Sequence, residues 1–287
     1  MDAHGSARRR RLRSGVAACL VAAAIAGLAL TALASGLGSQ HEATQAVVVT
    51  LAKGNTTIAG ADTLVAGLTK ITARNTGPKP VNFALARLRP GKTLADLQAE
   101  TKRSANVPEG TTATLTTYFG LAPGQTFTTT LSLPPGDYVT TQPPDGKGLG
   151  PAVQFSVANG AAGGSPPATT GTVLLYDYGI SAPASIPGRG TLAIKDIGSN
   201  YHFLIGIRLN RGVSADKVVA DIKAGKDNGP PPGQFVTIIG VVNPGTVNYV
   251  KTNLTPGSYV IACFNSDRHS AGHNHSRYGM VRELTVR

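Results

Sequence analysis

Pro135-Gly136-Asp137-Tyr138-Val139 returns 121 residues later as Pro256-Gly257-Ser258-Tyr259-Val260. The same offset carries Gly67 to Gly188, Gly77 to Gly198, Arg87-Leu88 to Arg208-Leu209, Gly91 to Gly212 and Pro123-Gly124 to Pro244-Gly245. Several of these are turn glycines and prolines, where backbone geometry restricts the choice of residue. Matching turns joined by drifting strands indicate one architecture used twice.

Outward from that motif, each copy opens with β-type segments at 46–51 and 172–178, then 70–74 and 191–195, then 81–88 and 202–209. A short helix is predicted next. Thr93 caps 94–102 with Asp96 completing a Thr-x-x-Asp box, and Ser214 caps 215–223 with Val218, Val219 and Ile222 on one apolar face. Threonine- and valine-rich strands resume and end at 153–157 and 282–286. Many short strands with one helix per unit predict an all-β chain: two tandem Greek-key sandwiches, each with its helix inserted in a crossover. The expected domains are 45–158 and 172–287, joined by a Gly/Pro/Ala-rich linker at 159–171.

Ahead of them, residues 8–13 read RRRRLR, an almost uncharged run follows from 15 to 36, and Ala32-Leu33-Ala34 is a small-residue triplet. Residues 1–38 therefore read as a secretory signal or an N-terminal membrane anchor, and on either reading the bulk is extracytoplasmic, secreted or held at the membrane. Five arginines and one aspartate lie in residues 1–34, which leaves 22 basic against 14 acidic residues, a net +8, for the rest. Those 22 are scattered without an aromatic-lined cluster, so nucleic acid is excluded as a partner. Cys19 falls in the leader, so Cys263 is the one thiol of the exported portion and has no intramolecular disulfide partner.

The copies differ in one loop. The final strands match at an offset of 129, not 121, so the second copy has eight additional residues within Cys263–Met280, CFNSDRHSAGHNHSRYGM. His202, His269, His273 and His275 all lie in that copy; the first has Val81 and Gln142 where the second has His202 and Cys263. Two imidazoles and a thiolate with a weak thioether suit copper and let it cycle between Cu(I) and Cu(II).

Here the chain resembles the cupredoxins, the plastocyanin-like blue copper proteins. Residues 275–286, HSRYGMVRELTV, are similar to the family's His-x-x-x-Gly-Met ending, which runs into a Val/Thr strand. Residues 256–263, PGSYVIAC, resemble the strand that delivers its cysteine. Residues 196–202, DIGSNYH, resemble the Asn-x-Gly-x-x-x-His segment that delivers its first histidine. The resemblance implies His202, Cys263, His275 and Met280 as copper ligands and electron transfer as the activity, with an unidentified redox or envelope protein as partner. The family places its second histidine two to four residues after the cysteine, whereas twelve positions separate Cys263 from His275. His269 and His273 are therefore rivals, and Asp267 could bind a harder ion.

Catalysis is not expected. A Cys263–His pair lacks an evident orienting acid, a trinuclear copper cluster would need additional histidine pairs, and no phosphate loop, zincin helix or serine elbow occurs. The alternative to a copper protein is a metal-free sandwich pair acting as an extracytoplasmic structural or interaction module, with Cys263 as buried filler and the histidine loop as a solvated surface.

Overall fold

The computed structural model describes residues 45–104, 107–226, 229–266 and 270–287; the leader, Asp267 and His269 lie outside them. The first half runs β1 (Gln45–Ala52), β2 (Asn55–Ala59), β3 (Gly67–Asn75), β4 (Val81–Leu88), α1 (Leu94–Arg103), β5 (Thr112–Leu121), β6 (Thr126–Leu133), β7 (Gly136–Thr141) and β8 (Ala152–Val157). The second runs β9 (Gly171–Tyr176), β10 (Gly179–Ser181), β11 (Ser185–Ile186), β12 (Arg189–Asp196), β13 (His202–Leu209) and α2 (Ala215–Lys223). It continues with β14 (Gly233–Val242), β15 (Val247–Asn253), β16 (Gly257–Ala262), a 3-10 turn at His275–Tyr278 and β17 (Val281–Val286).

Side-chain alternation sets the sandwich faces. β1 buries Val47, Val49 and Leu51 and turns Ala46 and Val48 outward, the period of two that a half-buried strand requires. The helices begin where their caps dictate. Thr93 and Asp96 exchange bonds at α1, Thr93 N–H to Asp96 Oδ2 at 2.9 Å and Asp96 N–H to Thr93 Oγ1 at 3.2 Å. Ser214 Oγ accepts the Lys217 N–H at 3.3 Å at α2, which buries Val218 and Ile222 and leaves Val219 half-buried.

The repeated Pro-Gly-x-Tyr motif has a structural cause. Tyr138 Oη donates to the Pro134 carbonyl at 2.5 Å, and Tyr259 Oη donates to the Thr255 carbonyl at 2.7 Å, so each ring pins the corner ahead of its own strand. Arg87 and Arg208 donate to the carbonyls of Pro135 and Pro256. Gly136 has φ 143°, and a Cβ there would stand 2.8 Å from Arg87 Nε, which accounts for the glycine.

One sheet of each sandwich is separate: β5-β4-β7-β8 in the first half and β11-β17-β16-β13-β14 in the second. The other two are fused into a single eight-stranded sheet, β10-β9-β12-β15-β6-β3-β1-β2, whose order is a palindrome of equivalent strands. At its centre β6 pairs antiparallel with β15, and Thr129 faces Val250, its own equivalent, so a pseudo-two-fold axis passes between them. The equivalents β5 and β14 meet beside it. From β14, Thr237 Oγ1 donates to the Phe119 carbonyl at 2.9 Å and the Val241 N–H to Thr117 Oγ1, and from β15 Asn248 Nδ2 donates to the Leu115 carbonyl at 3.0 Å. Gly240 permits this approach, because a Cβ there would fall 1.9 Å from Thr117 Oγ1. One buried cluster runs from Val47 to Val286 through both halves.

Two features depart from the sequence reading. The strand read at 172–178 stops at Tyr176, and Asp177-Tyr178 form a turn into β10. The matching hairpin of β1 with β2 was not read either. Within 159–171 the Ala162 N–H donates to the Ala66 carbonyl at 2.7 Å and the Thr170 N–H to the Thr191 carbonyl at 2.8 Å.

Candidate metal centre

Three elements converge at one pole of the second sandwich. His202 is the first residue of β13, and Cys263 directly follows β16, the neighbour of β13 in the sheet. The pairing of Ile205 with Ala262 brings the two together, and the Phe203 N–H donates to Cys263 Sγ at 3.5 Å. His275 opens the 3-10 turn of the loop between β16 and β17, and Met280 ends that loop.

The long loop returns to its start through backbone bonds. The His275 N–H donates to the Asn265 carbonyl at 2.7 Å, the Ser276 N–H to the Cys263 carbonyl at 2.9 Å, and the Met280 N–H to the His275 carbonyl at 3.2 Å. The Cys263 N–H closes the set on the Met280 carbonyl at 3.0 Å, and Ser266 bridges Asn274. Twelve positions in sequence are therefore reduced to a short span, because Ser266 and Asn274 face each other across a single bridge.

His202 Nδ1 lies 3.1 Å from His275 Nδ1, and Cys263 Sγ lies 4.0 Å and 3.8 Å from them. The point equidistant from these three atoms falls inside their triangle at about 2.1 Å from each, within the roughly 2.0–2.3 Å of metal–nitrogen and metal–sulfur bonds. His202, Cys263, His275 and Met280 are each 0 % exposed. The donor set, two imidazoles and a sulfur, suits a soft or borderline cation. His273 stands apart from this group: it is exposed, and its Nδ1 is 3.1 Å from Arg277 Nη1. His269 and Asp267 lie outside the described residues.

The β9–β10 turn completes the surroundings, and the sequence reading missed it. Asp177 Oδ1 is 2.9 Å from His202 Nε2, and the Tyr178 ring meets the His275 ring edge-to-face with centroids 4.8 Å apart. Partial burial opposes ionisation of Asp177, but the N–H groups of Ser199 and Asn200 and the His202 ring outweigh it and hold its pKa below the usual carboxylate value. The available signal was the placement of Asp177 ahead of Gly179, a turn pattern inside an apparent strand.

The first half shows the same pole without donors. Gln142, in the place of Cys263, donates through Nε2 to the Ala52 carbonyl at 3.1 Å, the Asn55 carbonyl at 2.5 Å and Thr56 Oγ1 at 2.9 Å, so it ties down the β1–β2 hairpin.

The strand order and the grouping of His202, Cys263 and His275 agree with the resemblance to cupredoxins drawn from the sequence. No family model and no curated protein matches the chain. Among solved structures it is similar to auracyanin B, at 18 % identity over 44 % of this chain and 93 % of that one, with a TM-score of 0.26. A reduced auracyanin from the photosynthetic bacterium Roseiflexus castenholzii matches at 20 % identity over 40 % and 94 %, with a TM-score of 0.24. A blue copper oxidase from Nitrosomonas europaea spans both halves, at 13 % identity over 84 % and 85 %, with a TM-score of 0.24. Among the described residues no helix is long and apolar enough to cross a membrane.

Proposed function

We propose that the chain is an extracytoplasmic copper protein that carries electrons through a single site in residues 172–287. The observation that carries this reading is the triangle of Nδ1, Nδ1 and Sγ atoms, whose centre already stands at metal-bond distance from all three. His202, Cys263 and His275 would hold the metal, with Met280 as a weaker thioether donor. Copper bound there supplies one-electron redox chemistry, with the thiolate as its strongest ligand.

The protein's own part is to fix those donors and keep water out. A pre-formed, buried set needs little rearrangement between oxidation states, which suits electron transfer. The burial of each donor residue and the Tyr178 ring against His275 support outer-sphere electron transfer over direct binding of a substrate to the metal. Multicopper chemistry would further need histidine pairs from the first half, yet no histidine occurs between His41 and His202. Residues 45–158 then act as a metal-free partner sandwich, 159–171 join the halves, and the basic, apolar residues 1–38 deliver or anchor the chain beyond the cytoplasm. The partner is a redox or envelope protein.

Addition of Cu(II) to the purified chain is expected to produce an intense visible thiolate-to-copper absorption, and Cys263→Ser to remove it. A colourless wild type, or a band that survives Cys263→Ser, would reject the assignment and leave a metal-free module or an adventitious histidine site.

A further inference from the structure

His202 enters the cluster through Nδ1, while its other ring nitrogen is held from outside by Asp177, 25 residues away in sequence. The carboxylate is itself fixed. Oδ2 accepts the Ser199 N–H at 2.7 Å, and Oδ1 accepts the Asn200 N–H at 3.2 Å as well as facing His202 Nε2 at 2.9 Å. A carboxylate only accepts hydrogen bonds, so Nε2 carries a proton, and in the neutral ring Nδ1 then presents its lone pair to the cluster. Gly198 is needed for this approach, since a Cβ there would stand 2.5 Å from Asp177 Oδ1 and 3.0 Å from His202 Nε2.

Two observations separate this contact from an ordinary surface ion pair. The imidazole is 0 % exposed and the carboxylate side chain 23 %, so water competes weakly for the bond. The acid also occurs only in the half with donors, because the equivalent β1–β2 turn is Lys53-Gly54 and is tied by Gln142 instead.

We propose that Asp177 is a positioning residue that selects the Nε2–H tautomer of His202 and strengthens Nδ1 as a donor, favouring Cu(II) over Cu(I). The tautomer half of this proposal stands on the protein alone, and the tuning half rests on the copper reading above. Outer partners of this kind orient a ligating histidine and raise its basicity, and their loss typically costs about 10- to 100-fold in metal affinity.

The test uses the full chain with 15N-labelled histidine. In the metal-free protein the His202 nitrogen shifts are expected to report the Nε2–H form; the Nδ1–H form would overturn the proposal. This readout needs no variant and is decisive even where a substitution prevents folding. Cu(II) and Cu(I) affinities are then measured against competing chelators for wild type and Asp177→Asn, which keeps an acceptor but removes the charge. Cu(II) affinity is expected to fall at least about 10-fold with Cu(I) affinity changing less, so the reduction potential rises. Equal changes in both oxidation states, or none, overturn the tuning while a wild-type copper band still stands. A wild type with no such band overturns the tuning together with the copper reading, while the nitrogen shifts alone decide the tautomer.

Discussion

Asn75 and Asp196 occupy equivalent places and make the same turn, each accepting the N–H of the glycine two residues on, at 2.8 and 2.9 Å. Asn75 also donates through Nδ2 to the carbonyls of Lys79 at 2.8 Å and Leu121 at 2.7 Å. An ionised Asp196 has no proton to donate. Its residue is 1 % exposed, and burial, with the Asp177 charge nearby, pushes the pKa up to about 7 against the pull of the Gly198 and His202 N–H groups. The folded state therefore keeps a proton that the unfolded chain releases near pH 4. Stability falls as pH rises from about 4 to about 7 and then levels off. Asp196→Asn is expected to stabilise the metal-free protein at pH 8, on the order of 4 kcal/mol, and to have little effect at pH 4. Denaturant midpoints for both proteins at both pH values check this, and an equal gain at both would exclude burial of the charge as its cause.

At the scale of elements, the β16–β17 loop can be taken apart. Residues 266 and 274 face each other across an antiparallel bridge, and the bonds that place His275 begin at Asn265. Replacing 267–273 by Asn-Gly, which closes a two-residue hairpin, is therefore expected to leave the copper band intact. Loss of the band in a folded variant would return His269 or His273 to the ligand set. This loop also shows what could be read from sequence. The donor types, their chain order and their confinement to one copy pointed to His202, Cys263 and a histidine of the loop, because ligand chemistry is written in residue identity; only the resemblance of 275–280 to His-x-x-x-Gly-Met put His275 ahead of its rivals His269 and His273. The path that brings His275 back to Cys263 was not legible, since it consists of main-chain bonds that any residues can make. Asp177 escaped for a related reason: Thr172 to Tyr178 alternate like a strand, and only tertiary packing shows that the chain turns over the site after Tyr176. The helices were read almost to the residue, because Thr93, Asp96 and Ser214 declare their starts through local bonds.

For the whole molecule, the fused sheet was invisible in sequence. β6 and β15 are Thr- and Val-containing strands like the others, and nothing in their side chains marks the edges by which they pair. Residues 172–287 produced alone would expose the β15 edge and the side of β14 that β5 covers. Unpaired edges recruit strands, and this one already pairs with its own equivalent about a two-fold axis. The isolated half is expected to sediment as a dimer, with Val250 facing Val250 of the second copy. A stable monomer would show that the shared sheet contributes little.

In the intact chain that same union takes place within one polypeptide. Tethered partners meet at an effective concentration of order millimolar for a short flexible connection, and residues 159–171 are also docked along the way. Mass action is thereby removed from the assembly. However far the protein is diluted, its two sandwiches are not expected to separate, and the donor pole keeps the scaffold behind it.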